Sequence, residues 1–266
     1  VTHLYIQAFD NENAWFKVNS TIREKGIPFR VGYGSEITLT KKISATIVIS
    51  HPEVRPLWND KAPTDYKYVG AYWDRYLWFN AREPDEHYTY GSRLNEPINQ
   101  IEEAINRLAT QPMDRQVTLV IRRPEDISKT SPLIDGHQVL DEHGHPVKWD
   151  PPCWTLLDLD IEPLDEGHFK INVIVYFRSW DAFAGFPSNV AGIQLFMEKF
   201  VQELNKRSQY TFTTGEMTCI SKNIHIYWER VGRLVEEIFG SKKDPRSDWT
   251  KMIGDQIHKE AVTNGQ

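Results

Sequence analysis

Cys153 has the setting in this sequence that best suits covalent chemistry: it follows two prolines in KWDPPCW and precedes the β-rich run TLLDLDI. A cysteine thiolate is a strong nucleophile, favoured by a nearby cation or helix N-terminus. The Pro-Pro entry restricts the backbone on arrival at the sulfur. Taken alone, the segment reads first as a strand-edge cysteine packed in a core. Three further stretches carry polar groups at fixed steps. YFRSWDAFAGFPSNVAGIQLF holds Arg178, Ser179, Asp181 and Asn189, with Gly185 and Pro187 between them; NIHIYWERV holds His225 and Tyr227; QPMDRQVTLVI holds Arg115. The second cysteine, Cys219, sits in GEMTCISKN with nothing beside it to activate it and reads as buried packing.

These residues need a scaffold, and the sequence supplies one. Ile43 to Ser50, Val117 to Ile121 and Ile171 to Phe177 are β-rich; from Thr155 to Ile161 the pattern ends in alternation, Leu157, Leu159 and Ile161 against Asp158 and Asp160. Ile193, Phe196, Met197, Phe200, Val201 and Leu204 form an apolar helical stripe, with Asn189 where an N-cap would stand. A second stripe runs from Tyr227 to Ile238 and stops at Gly240; a third runs from Ile98 to Leu108. Strands and helices mix without regular alternation, which predicts an α+β fold. With no repeat, low-complexity tract or Gly/Ser linker, residues 1–266 read as a single domain.

Composition excludes several classes. The net charge of −6 argues against broad nucleic-acid binding, which runs on excess Lys and Arg, yet a few local arginines can still hold one phosphate. No apolar run is long enough to span a membrane and the start shows no basic-then-apolar pattern, so no membrane partner and a cytoplasmic location are expected. Two cysteines make no disulfide framework. His137, Asp141, Glu142, His143 and His145 crowd residues 130–149, but their spacing matches no zinc pattern and they read as a solvated loop; Asp158 to Glu166 lacks calcium-loop spacing. No metal site is expected.

Taken together, the proline-proline-cysteine segment, the R-S-x-D-x-x-x-G-x-P-x-N run from Arg178, the H-I-Y triplet from His225, the earlier Y-G element in YTYGSRL and the arginine ahead of VTLVI resemble the thymidylate synthase family. All five recur in family order across roughly residues 88 to 240, and YTYGSRL, Asp158 and FRSWD lean toward its archaeal-type branch. The resemblance implies a twisted mixed β-sheet packed by helices, and a homodimer joined sheet to sheet. It implies a pyrimidine nucleoside monophosphate as substrate and methylene-tetrahydrofolate, or a related one-carbon pterin carrier, as cofactor.

The implied roles follow position by position. Cys153 would add to C6 of the pyrimidine, making C5 a nucleophile. Arg178 and Ser179 would bind the phosphate, and Arg178 would also lower the pKa of the thiol. Arg115 would reach a phosphate in the neighbouring subunit. Asp181 would hold the pterin, Asn189 would read the pyrimidine edge, and His225 and Tyr227 would bond the ribose hydroxyl. Arg30 in FRVGYGSE resembles the family's phosphate loop more loosely, and reads equally as part of a glycine turn between strands.

The departures from the family pattern are specific. Trp154 follows the cysteine where the common enzyme has His, and Gln116 stands for a second arginine. KYVGAYWDRYLWF contains no Glu where a catalytic glutamate is expected, leaving Asp74 as the nearest carboxylate, and the tail lacks a short apolar end. Three functions therefore stay open: methyl transfer to dUMP; hydroxymethylation of dUMP, dCMP or CMP, with water trapping the exocyclic methylene; and a non-catalytic binding relative.

Overall fold

A computed structural model describes residues 3–33, 36–82, 86, 88–127, 133–134, 137–138 and 151–240. The chain begins with β1 (His3–Ala8), α1 (Asn11–Lys25), β2 (Ile27–Tyr33) and β3 (Glu36–Ile49). Next come α2 (Tyr66–Ala71), which runs directly into a π-helical stretch (Tyr72–Trp78), then α3 (Tyr90–Asn95), α4 (Gln100–Thr110) and β4 (Thr118–Val120). A two-residue hairpin, β5 (Leu133–Ile134) and β6 (His137–Gln138), precedes the long pair β7 (Trp154–Asp165) and β8 (His168–Phe177). The last elements are β9 (Trp180–Asp181), α5 (Gly185–Asn205), β10 (Thr211–Ile226) and α6 (Trp228–Phe239).

The main sheet runs β1-β3-β10-β8-β7-β4, with β2 added to β3 and β9 to β10. β1/β3, β10/β8 and β10/β9 are parallel, and the remaining pairs are antiparallel. The α+β mixed sheet expected from the sequence is thus present. Alternation decides its faces. Ile43, Ala45, Ile47 and Ile49 of β3 and Phe169, Ile171, Val173, Val175 and Phe177 of β8 are buried, whereas Ser44, Thr46, Asn172, Ile174 and Tyr176 between them are only partly so. The buried face packs against α1 and α5; α5 carries Val190, Ile193, Phe196, Met197, Phe200 and Leu204 into the core. Cys219 is buried among them, and burial pushes its thiol far above the usual range.

Two local expectations give way. Asn189 is not an N-cap, because α5 starts four residues earlier, at Gly185. α5 has no side-chain cap; ahead of it the Asp181 carboxylate fixes the turn that leads in, its Oδ1 accepting from the backbone N–H of Phe183 (2.9 Å) and of Ala184 (3.2 Å). Pro187 is tolerated because the N–H groups of a first helical turn have no partner within the helix. The helix of the second stripe, α6, starts at Trp228, with Tyr227 at its N-cap position and His225 near the end of β10. The cluster expected in residues 130–149 lies largely outside the described residues, as do the side chain of His137 and the tail. Among the described residues no group of acidic, His and Cys side chains is arranged to hold a metal, and no helix is long and apolar enough to cross a membrane.

Candidate active site

Sheet register brings the separate sequence motifs side by side. β10 pairs with β8 as far as Ser221, and between Ser221 and Ile224 its register on β3 shifts; it then pairs with β9, setting Ile224 opposite Trp180 and His225 opposite Asp181. The irregularity re-aims the strand and leaves Asn223 beside Ser179, with Asn223 Nδ2 donating to Ser179 Oγ over 3.1 Å. Ala182 N donates to the carbonyl of His225 (2.8 Å), closing the seam. The RSWD and NIHIY segments are therefore one surface.

The nucleophile segment joins it from the other side. Cys153 is partly buried at the start of β7. Arg178 Nε donates to the carbonyl of Pro152 (3.0 Å), and Nη2 to that of Pro151 (2.5 Å). The two prolines thus present their carbonyls to a guanidinium, which carries positive charge to the cysteine segment. Beneath them the Trp154 and Phe177 rings lie parallel at 5.8 Å, and Phe177 stacks on Trp180 at 3.8 Å. Trp154, which departs from the histidine of the common family pattern, is fully buried as the floor of this stack.

A cavity of about 500 Å³ opens beside these residues. Tyr68, Tyr72, Tyr76 and Tyr90 supply its aromatic wall; Arg75, Glu86 and Asn189 supply polar groups. Tyr68 and Tyr72 stack at 6.4 Å and Tyr72 and Tyr76 at 5.7 Å, while Tyr76 meets Tyr90 edge-on at 5.3 Å. Tyr90 connects the cavity to the nucleophile. Burial, then the nearby Cys153, push its pKa far above the usual phenol range, so it stays a neutral hydroxyl. Gly91 permits this arrangement, because a Cβ there would overlap the carbonyl oxygen of Phe79 at the end of the π-helical stretch. A second hollow, sharing Tyr68, runs past Thr64, Ala184 and Gly185.

Of the residues singled out from sequence, Cys153, Arg178, Ser179, Asp181, Asn189, His225 and Tyr227 converge on this region. Asp181 is held by two backbone N–H groups, and burial raises its pKa. His225 is buried, which lowers its pKa; its Nδ1 lies 3.3 Å from the Asn223 carbonyl, and its ring meets Tyr227 edge-on at 4.9 Å. Arg30 is exposed on β2. Arg115 is exposed just ahead of β4, in a separate hollow with Arg107, Asp114 and Gln116 that shares no residue with the aromatic cavity. Asp74 is partly buried in the π-helical stretch and is not on the cavity wall; Glu86 is the carboxylate among the described lining residues. Sequence reasoning missed the tyrosine wall, Glu86 and Asn223. Tyr68, Tyr72 and Tyr76 at four-residue steps were the signal for the wall.

A family model described as thymidylate synthase matches residues 40–260. A protein of Methanosarcina acetivorans named "Putative thymidylate synthase" is 25% identical over 242 residues, spanning 88% of this chain and 95% of the relative. The protein of the same name from Methanosarcina mazei matches over the same shares at 25% identity. A thymidylate synthase of Francisella tularensis subsp. holarctica is 23% identical over 187 residues, 68% of this chain and 56% of that protein.

Proposed function

This chain belongs to the thymidylate synthase family, and we propose that it methylates C5 of a pyrimidine deoxynucleotide, converting dUMP to dTMP through a covalent bond to Cys153. The observation that carries this reading is the convergence of Cys153, the Arg178 guanidinium on its proline carbonyls, and Asn189 at the edge of an aromatic cavity. In this reading Cys153 Sγ adds to C6 of the base and the electron pair moves to C5, which becomes nucleophilic. Arg178 and Ser179 hold the phosphate, with Asn223 fixing the Ser179 hydroxyl. His225 and Tyr227 hold the sugar, and Asn189 faces the base edge. Tyr90, kept neutral, holds or moves a proton near Cys153. The carboxylate role first given to Asp74 passes to Glu86, which lines the cavity.

The residues present fit a one-carbon pterin carrier. The tyrosine wall offers flat apolar faces, and the partly buried Asp181 carboxylate is held just before the second hollow, where ring N–H groups would find an acceptor. Methylene-tetrahydrofolate, or a related carrier, would supply the one-carbon unit and the hydride. The partly buried outer face of the sheet suits a homodimer, with Arg115 serving the neighbouring site.

Mass spectrometry of the product from dUMP, dCMP and CMP with methylene-tetrahydrofolate tests the proposal. A methylated uracil product is expected. A product heavier by one oxygen would make the chain a nucleotide hydroxymethylase, and no product with any nucleotide would leave a binding relative.

A further inference from the structure

We propose that Trp180 is a specificity-determining positioning residue: its indole N–H gives the Asn189 amide a direction, and with it a preference for a 4-oxo over a 4-amino pyrimidine. The inference rests on the nucleotide reading above.

An asparagine alone cannot tell uracil from cytosine. Uracil presents an N3–H donor and an O4 acceptor, cytosine the reverse, and an amide turned end for end pairs with either. The structure removes that symmetry. Trp180 Nε1 lies 2.8 Å from Asn189 Oδ1, and because an indole nitrogen only donates, the atom facing it must be the amide oxygen. The indole itself is locked. Trp180 is 3% exposed, stacked on Phe177 at 3.8 Å with 8° between the planes, flanked by Phe186 at 4.8 Å, and paired through its backbone to Ile224.

With Oδ1 held, Nδ2 takes the other side of the amide. There stands the Tyr72 hydroxyl, buried on the same cavity wall and interacting with the Asn189 side chain. A base with a C4 oxygen therefore meets the amide N–H, and its N3–H meets the second lone pair of Oδ1. For cytosine the amide would have to turn over, which sets its NH₂ against the indole N–H, two donors face to face. The cost falls on the wrong base alone, so the indole converts an ambiguous reader into a selective one.

Trp180→Phe tests this on the full chain, since phenylalanine keeps a ring against Phe177 and removes the donor. Calorimetric Kd and KM would be measured for dUMP and dCMP, with melting temperature as the check on folding. The wild type is expected to favour dUMP roughly ten- to hundredfold, and Trp180→Phe to shrink that ratio about tenfold, mainly through tighter dCMP binding. In an Asn189→Ala background the same substitution should leave the ratio unmoved, because its effect passes through the amide. An unchanged ratio in folded Trp180→Phe overturns the inference. Equal binding of dUMP and dCMP by the wild type overturns it without any variant. Binding of neither nucleotide overturns both it and the functional reading beneath it.

Discussion

The backbone N–H of Arg178 donates to the carbonyl of Cys153 over 2.9 Å, while the Arg178 guanidinium reaches back to the two prolines before that cysteine. The cation is thus fastened to the chain that carries the sulfur rather than merely near it. β7 and β8 hold the arrangement, since Trp154 pairs with Phe177 immediately after the one residue and before the other. In the proposed reading, one side chain would couple phosphate binding to thiol activation.

Lysine cannot reproduce this fork, having a point charge in place of a planar set of donors. Arg178→Lys should weaken nucleotide binding by about 10- to 100-fold and slow formation of a covalent adduct with 5-fluoro-dUMP. Cys153→Ser should abolish the adduct entirely. Peptide mapping by mass spectrometry reads both, and an adduct on the deeply buried Cys219 would overturn the assignment.

Tyr90 contributes a hydroxyl that meets the backbone N–H of Trp154 and faces Cys153 and Arg178. Tyr90→Phe keeps the ring and its edge-on contact with Trp154, 5.4 Å between centroids, but loses that oxygen. The expected loss is about 100-fold in kcat from the missing proton-transfer group, with only about 1 kcal/mol of stability lost. Comparable losses in turnover and in folding free energy would make Tyr90 a packing residue instead.

Much of the scaffold was legible before the structure. The stripe from Ile193 to Leu204 and the alternation at Leu157 and Leu159 are local signals, because the helix and strand periods are written in adjacent residues. The start of α5 was not, since no side chain caps it and the turn before it is held by Asp181, while Asn189 looked suitable as a cap. The π-helical stretch was also invisible. It packs on α5, with Tyr72 lying against Gly192, a contact between residues far apart in the chain. The roles of Trp154 and Trp180 likewise emerge only once Phe177 is stacked with both.

Gly192 gives that last point a test. A Cβ at this position would overlap the Tyr72 ring, which cannot move without leaving the cavity wall. Gly192→Ala should cost about 1–3 kcal/mol by overpacking, despite the better helix propensity of alanine, and should weaken ligand binding in the cavity. Urea denaturation measures the first effect; a stabilised variant would show that α5 can shift away.

His225 sets a pH dependence. Burial lowers its pKa, against the opposing pull of the Asn223 carbonyl and Asp181, so the folded state binds fewer protons here than the unfolded chain does. Its stabilising contribution is therefore present above the ordinary histidine range and lost as pH falls from about 6.5 through the folded value. Asp181 runs the other way, its raised pKa disfavouring folding as pH climbs above the ordinary carboxylate range. Between pH 7 and 5 unfolding free energy should fall, by at most about 1.4 kcal/mol per pH unit for this one proton, and His225→Gln should flatten the slope. Denaturation at several pH values decides it, an unaltered slope counting against the histidine.

Arg115 supplies the last test, because its place in the fold and its proposed role conflict within one chain. It is exposed before β4 in a hollow with Arg107, Asp114 and Gln116, sharing no residue with the tyrosine-lined cavity. If it holds phosphate, that phosphate belongs to the neighbouring subunit, and each site is built from two chains. Arg115→Ala and Cys153→Ala should then each be nearly inactive alone, one lacking the shared arginine and the other the nucleophile. In a mixed dimer, the site on the Arg115→Ala subunit keeps its own Cys153 and receives Arg115 from its partner, while the other site lacks both. Random reassortment of equal amounts makes half the dimers mixed, each with one intact site of two, so activity should recover to about a quarter of wild type. Ultracentrifugation must show a dimer under the same conditions. An active monomer, or no recovery after verified subunit exchange, would confine Arg115 to its own chain.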